Sequence, residues 1–278
     1  MKNLKSTLGI LSIALLTACP GTRTGNPDAV LAMTATNTTV IAANNWFEKI
    51  MGSLFPFATA FGPLSTITDL GGNTVNLTDA AVGIESVEFK TEEVGDDAET
   101  QEIELSGPYF IDLFAATPET LGTASIPALG YRRIKMKLHK PEDDAVNVPA
   151  ALGSNSIYLA GEVNMVAFSY ATEEESEFEM GGSNPVTPSS SADLLAVIRL
   201  GELIQLIDLT DLTTAGNKNI SESNRIPTVT VSDPCPSIKS NADDLFTCFR
   251  DGLEAVSEFG KDSDGSGEIE DDEDSTDH

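Results

Sequence analysis

Short segments in which apolar and polar residues alternate constrain the fold of this 278-residue chain more than any other feature. In the clearest of them, "YRRIKMKLHK", Ile134, Met136 and Leu138 fall on one face and basic residues on the other. A period of two is typical of a β-strand with one buried face. Because turn residues separate many such segments, the sequence predicts an all-β domain built as a two-sheet β-sandwich.

Three departures from simple alternation refine this prediction. The apolar residues change phase between Ile84 and Val87, which predicts a β-bulge near Glu85. The segment "EIELSGPYFIDLF" is expected to give one or two strands, divided at Gly107-Pro108. The segment "RIPTVTV" is rich in β-branched residues, so we expect it to be the last strand of the sandwich.

Two helices are predicted beside the strands. A short amphipathic helix near residues 45–61 begins with Asn45 as a plausible N-cap and ends at Pro56. A C-terminal helix begins with Asn241 as N-cap and ends before Gly260, in the place of a C′ glycine. Its apolar stripe should pack on the sandwich; the stripe consists of Leu245, Phe249, Leu253 and Val256.

The first residues have the composition of an export signal. Lys2 and Lys5 precede an apolar stretch, Leu8 to Leu16, that is too short to cross a bilayer as a stable helix. The residues that follow, "LTAC" ending at Cys19, resemble the lipobox of bacterial lipoproteins. The resemblance implies removal of residues 1–18 and lipidation of Cys19 by a diacylglycerol thioether and an acyl chain such as palmitate. An ordinary secretory signal with a chance cysteine is the alternative.

This anchor predicts where the protein resides. Two or three acyl chains hold a protein durably on a membrane, whereas one chain is marginal. Pro20 follows the cysteine, where an aspartate would favour the inner membrane of enteric bacteria, so the resemblance implies the bacterial outer membrane. Whether the protein faces the periplasm or the cell surface stays open.

Lipidation of Cys19 would leave two of the three cysteines, Cys235 and Cys248. In an exported protein such a pair is expected to form a disulfide, which here would tie the C-terminal helix to the preceding loop. The alternative is a metal site with two cysteine ligands, but the sequence offers no companion ligands nearby.

The predicted organisation has five segments, which together suit one all-β domain with extensions. They are a signal peptide at 1–18, a flexible tether at 19–28, the β-sandwich domain at 29–232, a disulfide loop with a helix at 233–260, and an acidic tail at 261–278.

A series of short motifs occurs in order between residues 75 and 231: Thr78-Asp79-Ala80, Ile84-x-x-Val87-x-Phe89, Ile111-Asp112-Leu113, Ile126-Pro127 and Gly130-Tyr131-Arg132. In this order they resemble a family of bacterial lipoproteins of unknown function that has a prealbumin-like, or transthyretin-like, β-sandwich. Ala81 departs from the family pattern, in which a proline is usual at that place. The resemblance implies the β-sandwich fold and a lipid-anchored location. It implies no reaction and no ligand.

The formal charge of −28 argues against nucleic acid as a partner. Acidic residues are densest in the tail, where "DSDGSGEIEDDE" resembles an EF-hand calcium loop with Gly267 at the sharp turn. Its helical frame is missing, because Gly260 would end the helix before the loop and Asp274 follows it. An unstructured acidic tail is therefore the alternative. Calcium is the one candidate cofactor, and its ligands would be Asp262, Asp264, Ser266, Glu268, Glu270 and Glu273.

The strand "YRRIKMKLHK" also carries a basic stripe, formed by Arg132, Arg133, Lys135, Lys137 and Lys140. One hypothesis is an anion site for an acidic glycan or for the protein's own acidic tail. The other is a solvated strand face whose lysines discourage edge-to-edge pairing of sheets.

Catalytic motifs are absent from the sequence, which contains two histidines and no nucleophile motif, so we predict no catalytic residues and no enzyme activity. The chain is expected to be a lipid-anchored binding or structural module of the cell envelope. Its partner would be an unidentified envelope protein or glycan. The alternatives are a calcium-dependent interaction lipoprotein and an envelope hydrolase with paired carboxylates.

Overall fold

A computed structural model of the protein describes residues 28–36, 66–91, 103–115, 117–127, 130–187, 193–214, 216–262 and 269. The predicted signal peptide, Cys19 and the predicted helix near residues 45–61 lie outside the described residues. The same holds for the EF-hand-like loop, apart from the backbone of Asp262 and the residue Ile269.

Strands dominate the described chain, with 49% strand against 12% helix, which confirms the all-β prediction. The strands are β1 (Asp28–Thr36), β2 (Ile67–Thr68), β3 (Thr74–Thr91), β4 (Ile103–Asp112), β5 (Glu119–Ser125), β6 (Tyr131–Leu138), β7 (Ile157–Val163), β8 (Val166–Thr172), β9 (Glu177–Val186), β10 (Asp193–Arg199), β11 (Asn219–Ile220) and β12 (Ser257–Asp262). The helices are α1 (Leu200–Gln205), α2 (Thr210–Thr214) and α3 (Leu245–Ala255).

These strands form one large mixed sheet with the order β11-β8-β7-β3-β6-β9-β12-β10-β1-β5, while β2 and β4 pair with β3. The pairs β1/β10, β9/β12 and β8/β11 are parallel. The sheet curls back on itself, because β1 and β5 at the end of this order reach β4. The Ala35 N–H donates to the Leu113 carbonyl at 3.3 Å, and the Asp112 N–H donates to Glu119 Oε1 at 3.4 Å.

The long strand β3 joins the two halves of the sheet and contains the predicted bulge. Its first half pairs with β7 and its second half with β6, and the register with both β4 and β6 shifts between Ile84 and Ser86. The bulge near Glu85 is therefore confirmed.

The same bulge explains why Gly107-Pro108 does not divide β4. These two residues lie opposite Glu85, between the paired positions Tyr109 and Ser106. Proline needs no ladder hydrogen bond there because it has no N–H. A Cβ on Gly107 would come within 2.7 Å of the Glu85 carbonyl oxygen, so glycine permits the close approach of the two strands.

The expectation that "RIPTVTV" is a strand is wrong. The bridge that the structure records in this segment is isolated and joins Pro227 to Asp244. The N–H groups of Val229 and Thr230 donate instead to the buried carboxylate of Asp211, each at 3.0 Å. Donors bound by that carboxylate are no longer available to a neighbouring strand.

The C-terminal helix forms, but both of its predicted ends are wrong. Asp244 caps α3 by accepting from the Thr247 N–H at 2.7 Å, whereas Asn241 lies earlier in a left-handed turn with φ 59°. Gly260 does not end the helix, because the chain turns after Ala255 and Gly260 pairs with Leu195 within β12.

The larger of two buried apolar clusters among the described residues underlies the curled sheet and takes in α1 and α3. Phe89 of β3 lies at its centre and packs edge-on against Tyr131 and Phe259, with ring centroids 5.8 and 6.0 Å away. Helix α3 covers the β8 end of this core through Phe246 and Phe249. This contact also leaves a cleft between α3 and the sheet.

Candidate binding cleft

A cleft of about 260 Å³ opens between helix α3 and the strands β6 to β9. Its apolar floor consists of Leu138, Ile157 and Phe178, one residue each from β6, β7 and β9. Its polar lining comes from the end of β8, the β8–β9 connection and α3, and includes Thr172, Glu174, Ser176, Arg250, Asp251 and Glu254.

Tyr170 of β8 forms the inner end of the cleft and is held by two aromatic rings of α3. Its ring stacks on Phe249 at 5.2 Å with an interplanar angle of 19°, and lies 5.6 Å from Phe246. Because Phe246 and Phe249 are three residues apart, they share one face of the helix. The residue is fully buried, so the apolar stripe of α3 fixes where the tyrosine hydroxyl can lie.

The hydroxyl oxygen of Tyr170 is buried and has no hydrogen-bond partner among the described residues. Such an unpaired group costs about 1 to 3 kcal/mol relative to a solvated one. Burial, followed by the nearby charge of Glu222, raises the pKa of Tyr170 far above its usual value. The phenol is therefore neutral at physiological pH and can both donate and accept a hydrogen bond.

Among the described residues that line the cleft the one cation is Arg250, which binds Asp251. Its Nε and Nη2 atoms lie 2.8 and 2.7 Å from Asp251 Oδ1, and Lys239 Nζ lies 2.9 Å from Asp251 Oδ2. Burial would raise the pKa of Asp251, but the hydrogen bonds from Lys239 and Arg250 outweigh it and lower that pKa. Asp251 is thus an ionised carboxylate that lies between two cations.

The remaining acids of the cleft differ in their partners. Glu177 forms an ion pair with Lys135 at 2.5 Å. Glu174 and Glu254 form no ion pair with a residue that the structure describes, although both line the cleft. The cleft therefore combines an apolar floor, unpaired carboxylates and one unsatisfied hydroxyl.

The two cysteines expected to pair are bonded in the structure. The sulfur atoms of Cys235 and Cys248 lie 2.05 Å apart and their Cα atoms 5.8 Å apart. The pairing prediction is confirmed, and one of the two cysteines, Cys248, lies on α3 with Phe246 and Phe249.

The proposed calcium ligands lie outside the described residues except for the backbone of Asp262, which ends β12 opposite Asp193. Ile269, at the eighth position of the loop, is buried against Leu195 and Val197. Its carbonyl accepts from Arg199 Nη2 at 3.3 Å. Within the described ranges, no three His, Cys, Asp or Glu residues are arranged to hold a metal ion.

The basic stripe lies on β6, which runs between β3 and β9, so the idea that its lysines protect a sheet edge is wrong. Its cations face glutamates instead: the ion pairs are Arg133–Glu179 at 2.9 Å, Lys135–Glu177 at 2.5 Å, Lys137–Glu85 at 2.6 Å and Lys140–Glu173 at 3.6 Å. The hydrogen bond between Lys137 and Glu85 raises the pKa of the lysine and lowers that of the glutamate. An anion at this face would have to displace a glutamate.

The cleft was not predicted from the sequence. The signal that existed was Tyr170 in the apolar phase of β8, an inward position that brings a hydroxyl into the core. The hydrolase alternative named no residues and stays a prediction.

The fold and the cleft thus define an all-β protein with one helix-covered polar cleft. No protein family matches this chain, and no curated protein or solved structure matches it either. No helix among the described residues is both long and apolar enough to span a membrane. The chemistry of the cleft is therefore the basis on which function can be inferred.

Proposed function

We propose that this protein is a lipid-anchored, non-enzymatic binding module of the bacterial cell envelope whose ligand enters the cleft beside α3. One observation carries the binding role: the buried Tyr170 hydroxyl has no partner among the described residues and borders the cleft. Native proteins pair nearly all buried polar groups, so the exceptions often mark functional sites. A ligand that supplies the missing hydrogen bond would remove this cost.

The binding role can be tested with a protein-free extract of the cell envelope. The unfolding temperature is measured for the wild-type chain and for two variants. Ser176→Trp fills the cleft, and Ser106→Trp makes the same change at an exposed position of β4. We expect the extract to raise the unfolding temperature of the wild type and of Ser106→Trp but not of Ser176→Trp. Equal responses of all three proteins, or none, would refute a ligand in the cleft.

The envelope address rests on the lipobox-like "LTAC" and the tether that follows it. In the proposed arrangement, Cys19 holds the protein on the outer membrane and residues 19–28 separate it from the lipid. Replacing Cys19 with serine should release the protein into the soluble fraction and abolish labelling by radioactive palmitate. Unchanged membrane association of Cys19→Ser would contradict the lipoprotein assignment.

We also place the chain in the lipoprotein family with the transthyretin-like sandwich, with α3 as its disulfide-tied helix. The support is that four of the five family motifs fall on or at the ends of the adjacent strands β3, β4 and β6, and that Cys248 lies within α3. The disulfide should stabilise the protein by about 3 kcal/mol in the chain-entropy model. Urea unfolding of the double variant Cys235→Ser/Cys248→Ser measures this contribution. A midpoint equal to that of the wild type would show that the disulfide does not stabilise the protein.

A second candidate function, calcium-dependent interaction through the tail, is favoured by Ile269. This side chain, at the eighth position of the loop pattern, is buried against Leu195 and Val197 of β10, and its carbonyl accepts a hydrogen bond from Arg199. A single loop without its helices should bind calcium weakly, at about 10⁻⁴ to 10⁻³ M. Calcium titration of the full chain and of Glu273→Gln tests this, and equal heats from the two proteins would end the calcium hypothesis.

A further inference from the structure

A small apolar cavity lies directly behind the floor of the cleft. Leu138, Ile157 and Phe178 line both spaces, and Met33 and Met136 are among the residues that complete the inner wall. The cavity has a volume of about 10 Å³ and lacks a polar lining residue, so water gains nothing by entering it. The floor of the cleft is therefore apolar on both sides, so a short alkyl chain that lies on it covers no polar group.

The mouth of the cleft has the opposite character, because its unpaired charges are negative. Glu174 is half-buried and Glu254 is exposed, and neither forms an ion pair with a described residue. Arg250 offsets only part of this charge, because its Nε and Nη2 atoms bind Asp251 and four carboxylates line the cleft against this one described cation. An anionic ligand would meet repulsion here, whereas a cation would be attracted.

The unpaired hydroxyl of Tyr170 connects these two parts. Tyr170 lines the cleft, as do Thr172 on the same face of β8 and Arg250, which follows its stacking partner Phe249 in α3. A ligand in the cleft therefore lies next to Tyr170, whose buried hydroxyl has no partner among the described residues. The hydroxyl oxygen can accept one hydrogen bond from a ligand that has N–H donors.

We propose that the cleft binds a small primary alkylammonium ion, with the ammonium group at Tyr170 and Glu174 and the alkyl chain against Leu138, Ile157 and Phe178. The ammonium group donates one hydrogen bond to the phenol oxygen and another to the Glu174 carboxylate. The alkyl chain covers the apolar floor and excludes water from it. This assignment rests on the proposed binding function of the same cleft.

The test uses the full chain in detergent and isothermal titration with n-butylammonium chloride, corrected by titration into detergent alone. Three matched ligands serve as controls. Butyrate reverses the charge, butanol removes the charge, and ammonium chloride removes the alkyl chain. We expect saturable binding of butylammonium and no saturable binding of the other three. From methylammonium to butylammonium, the affinity should rise about fourfold for each added methylene group.

Three variants locate the site. Tyr170→Phe keeps the stacked ring and removes the hydroxyl, and it should weaken butylammonium binding about tenfold or more. Glu174→Gln keeps the shape and removes the charge, and it should weaken binding about fivefold. Glu142→Gln is the same chemical change at an exposed position outside the cleft, and it should bind like the wild type.

The proposal is overturned if butylammonium gives no saturable heat, if butyrate or butanol binds equally well, or if Tyr170→Phe and Glu174→Gln bind like the wild type. The envelope-extract experiment separates this failure from failure of the proposed function. If the extract stabilises the wild type but not Ser176→Trp while no amine binds, the cleft is a binding site for another ligand class. If neither the extract nor an amine acts, both proposals are wrong.

Discussion

The polar groups near the two faces of β9 differ in whether they have a partner within the protein. On the face shared with β6, Glu177 and Glu179 pair with Lys135 and Arg133 across the strands. On the other side, Phe178 belongs to the floor of a cleft whose Tyr170 hydroxyl has no partner among the described residues. On the face shared with β6 the glutamates are already paired with cations. The cleft is therefore the side of β9 that offers an unpaired group to a ligand.

The largest change should follow from removing the ring that holds the cleft together. Phe249 is fully buried and stacks on Tyr170 at 5.2 Å. Phe249→Ala should lower the free energy of unfolding by about 3 to 5 kcal/mol, because it removes apolar contact and leaves a cavity. Urea denaturation followed by circular dichroism measures the loss. A loss below about 1 kcal/mol would mean that α3 does not fix the cleft.

Two buried tyrosines sharpen the comparison, because one hydroxyl is paired and the other is not. The Tyr131 hydroxyl donates to the Pro127 carbonyl at 3.1 Å, whereas that of Tyr170 has no described partner. Without ligand, Tyr131→Phe should destabilise the protein by about 1 kcal/mol, and Tyr170→Phe should stabilise it by a similar amount. Unfolding midpoints in urea give both values. Destabilisation of the same size in both variants would show that the Tyr170 hydroxyl is satisfied.

The smallest effect is expected on the paired face. Lys135 is part of an ion pair that water reaches, with its side chain 29% exposed and that of Glu177 61% exposed. Lys135→Met, which keeps most of the apolar stem, should change the free energy of unfolding by no more than about 0.5 kcal/mol. High salt should remove most of the difference between the two proteins. A larger loss that persists in high salt would mean that the ion pairs organise the sheet.

The strand architecture was predictable where local pattern and final environment agree. The alternation in β6 identified its buried face, and the phase slip in β3 located the bulge at Glu85. Both were readable because successive side chains of a strand point to opposite faces of the sheet. The cysteine pair followed from counting, since one of the three cysteines was assigned to lipid.

The errors arose where distant residues decide a local structure. Asn241 and Asp244 are both good N-caps, and Asp244 is used because Thr247 and Arg225 bind its carboxylate. Gly260 resembled a helix terminator, but pairing with β10 and contact with Ile269 make it a strand residue. A helix stop and a strand glycine look alike without knowledge of the partner strand.

The cleft could not be predicted for the same reason. Tyr170, Glu174 and Arg250 come from separate elements that only the packing of α3 on β8 brings together. A missing hydrogen bond is a property of the folded surroundings, and a sequence records which groups exist but not which remain unpaired.

The carbon NMR shift of the tyrosine ring atom that carries the hydroxyl tests the central claim most directly. The chain has four tyrosines, so selective ¹³Cζ labelling gives few resonances, and Tyr131 provides an internal reference with a paired hydroxyl. During a titration with butylammonium, the Tyr170 resonance should move and saturate while the Tyr131 resonance stays in place. A Tyr170 resonance that does not move, or that moves together with Tyr131, would contradict the account.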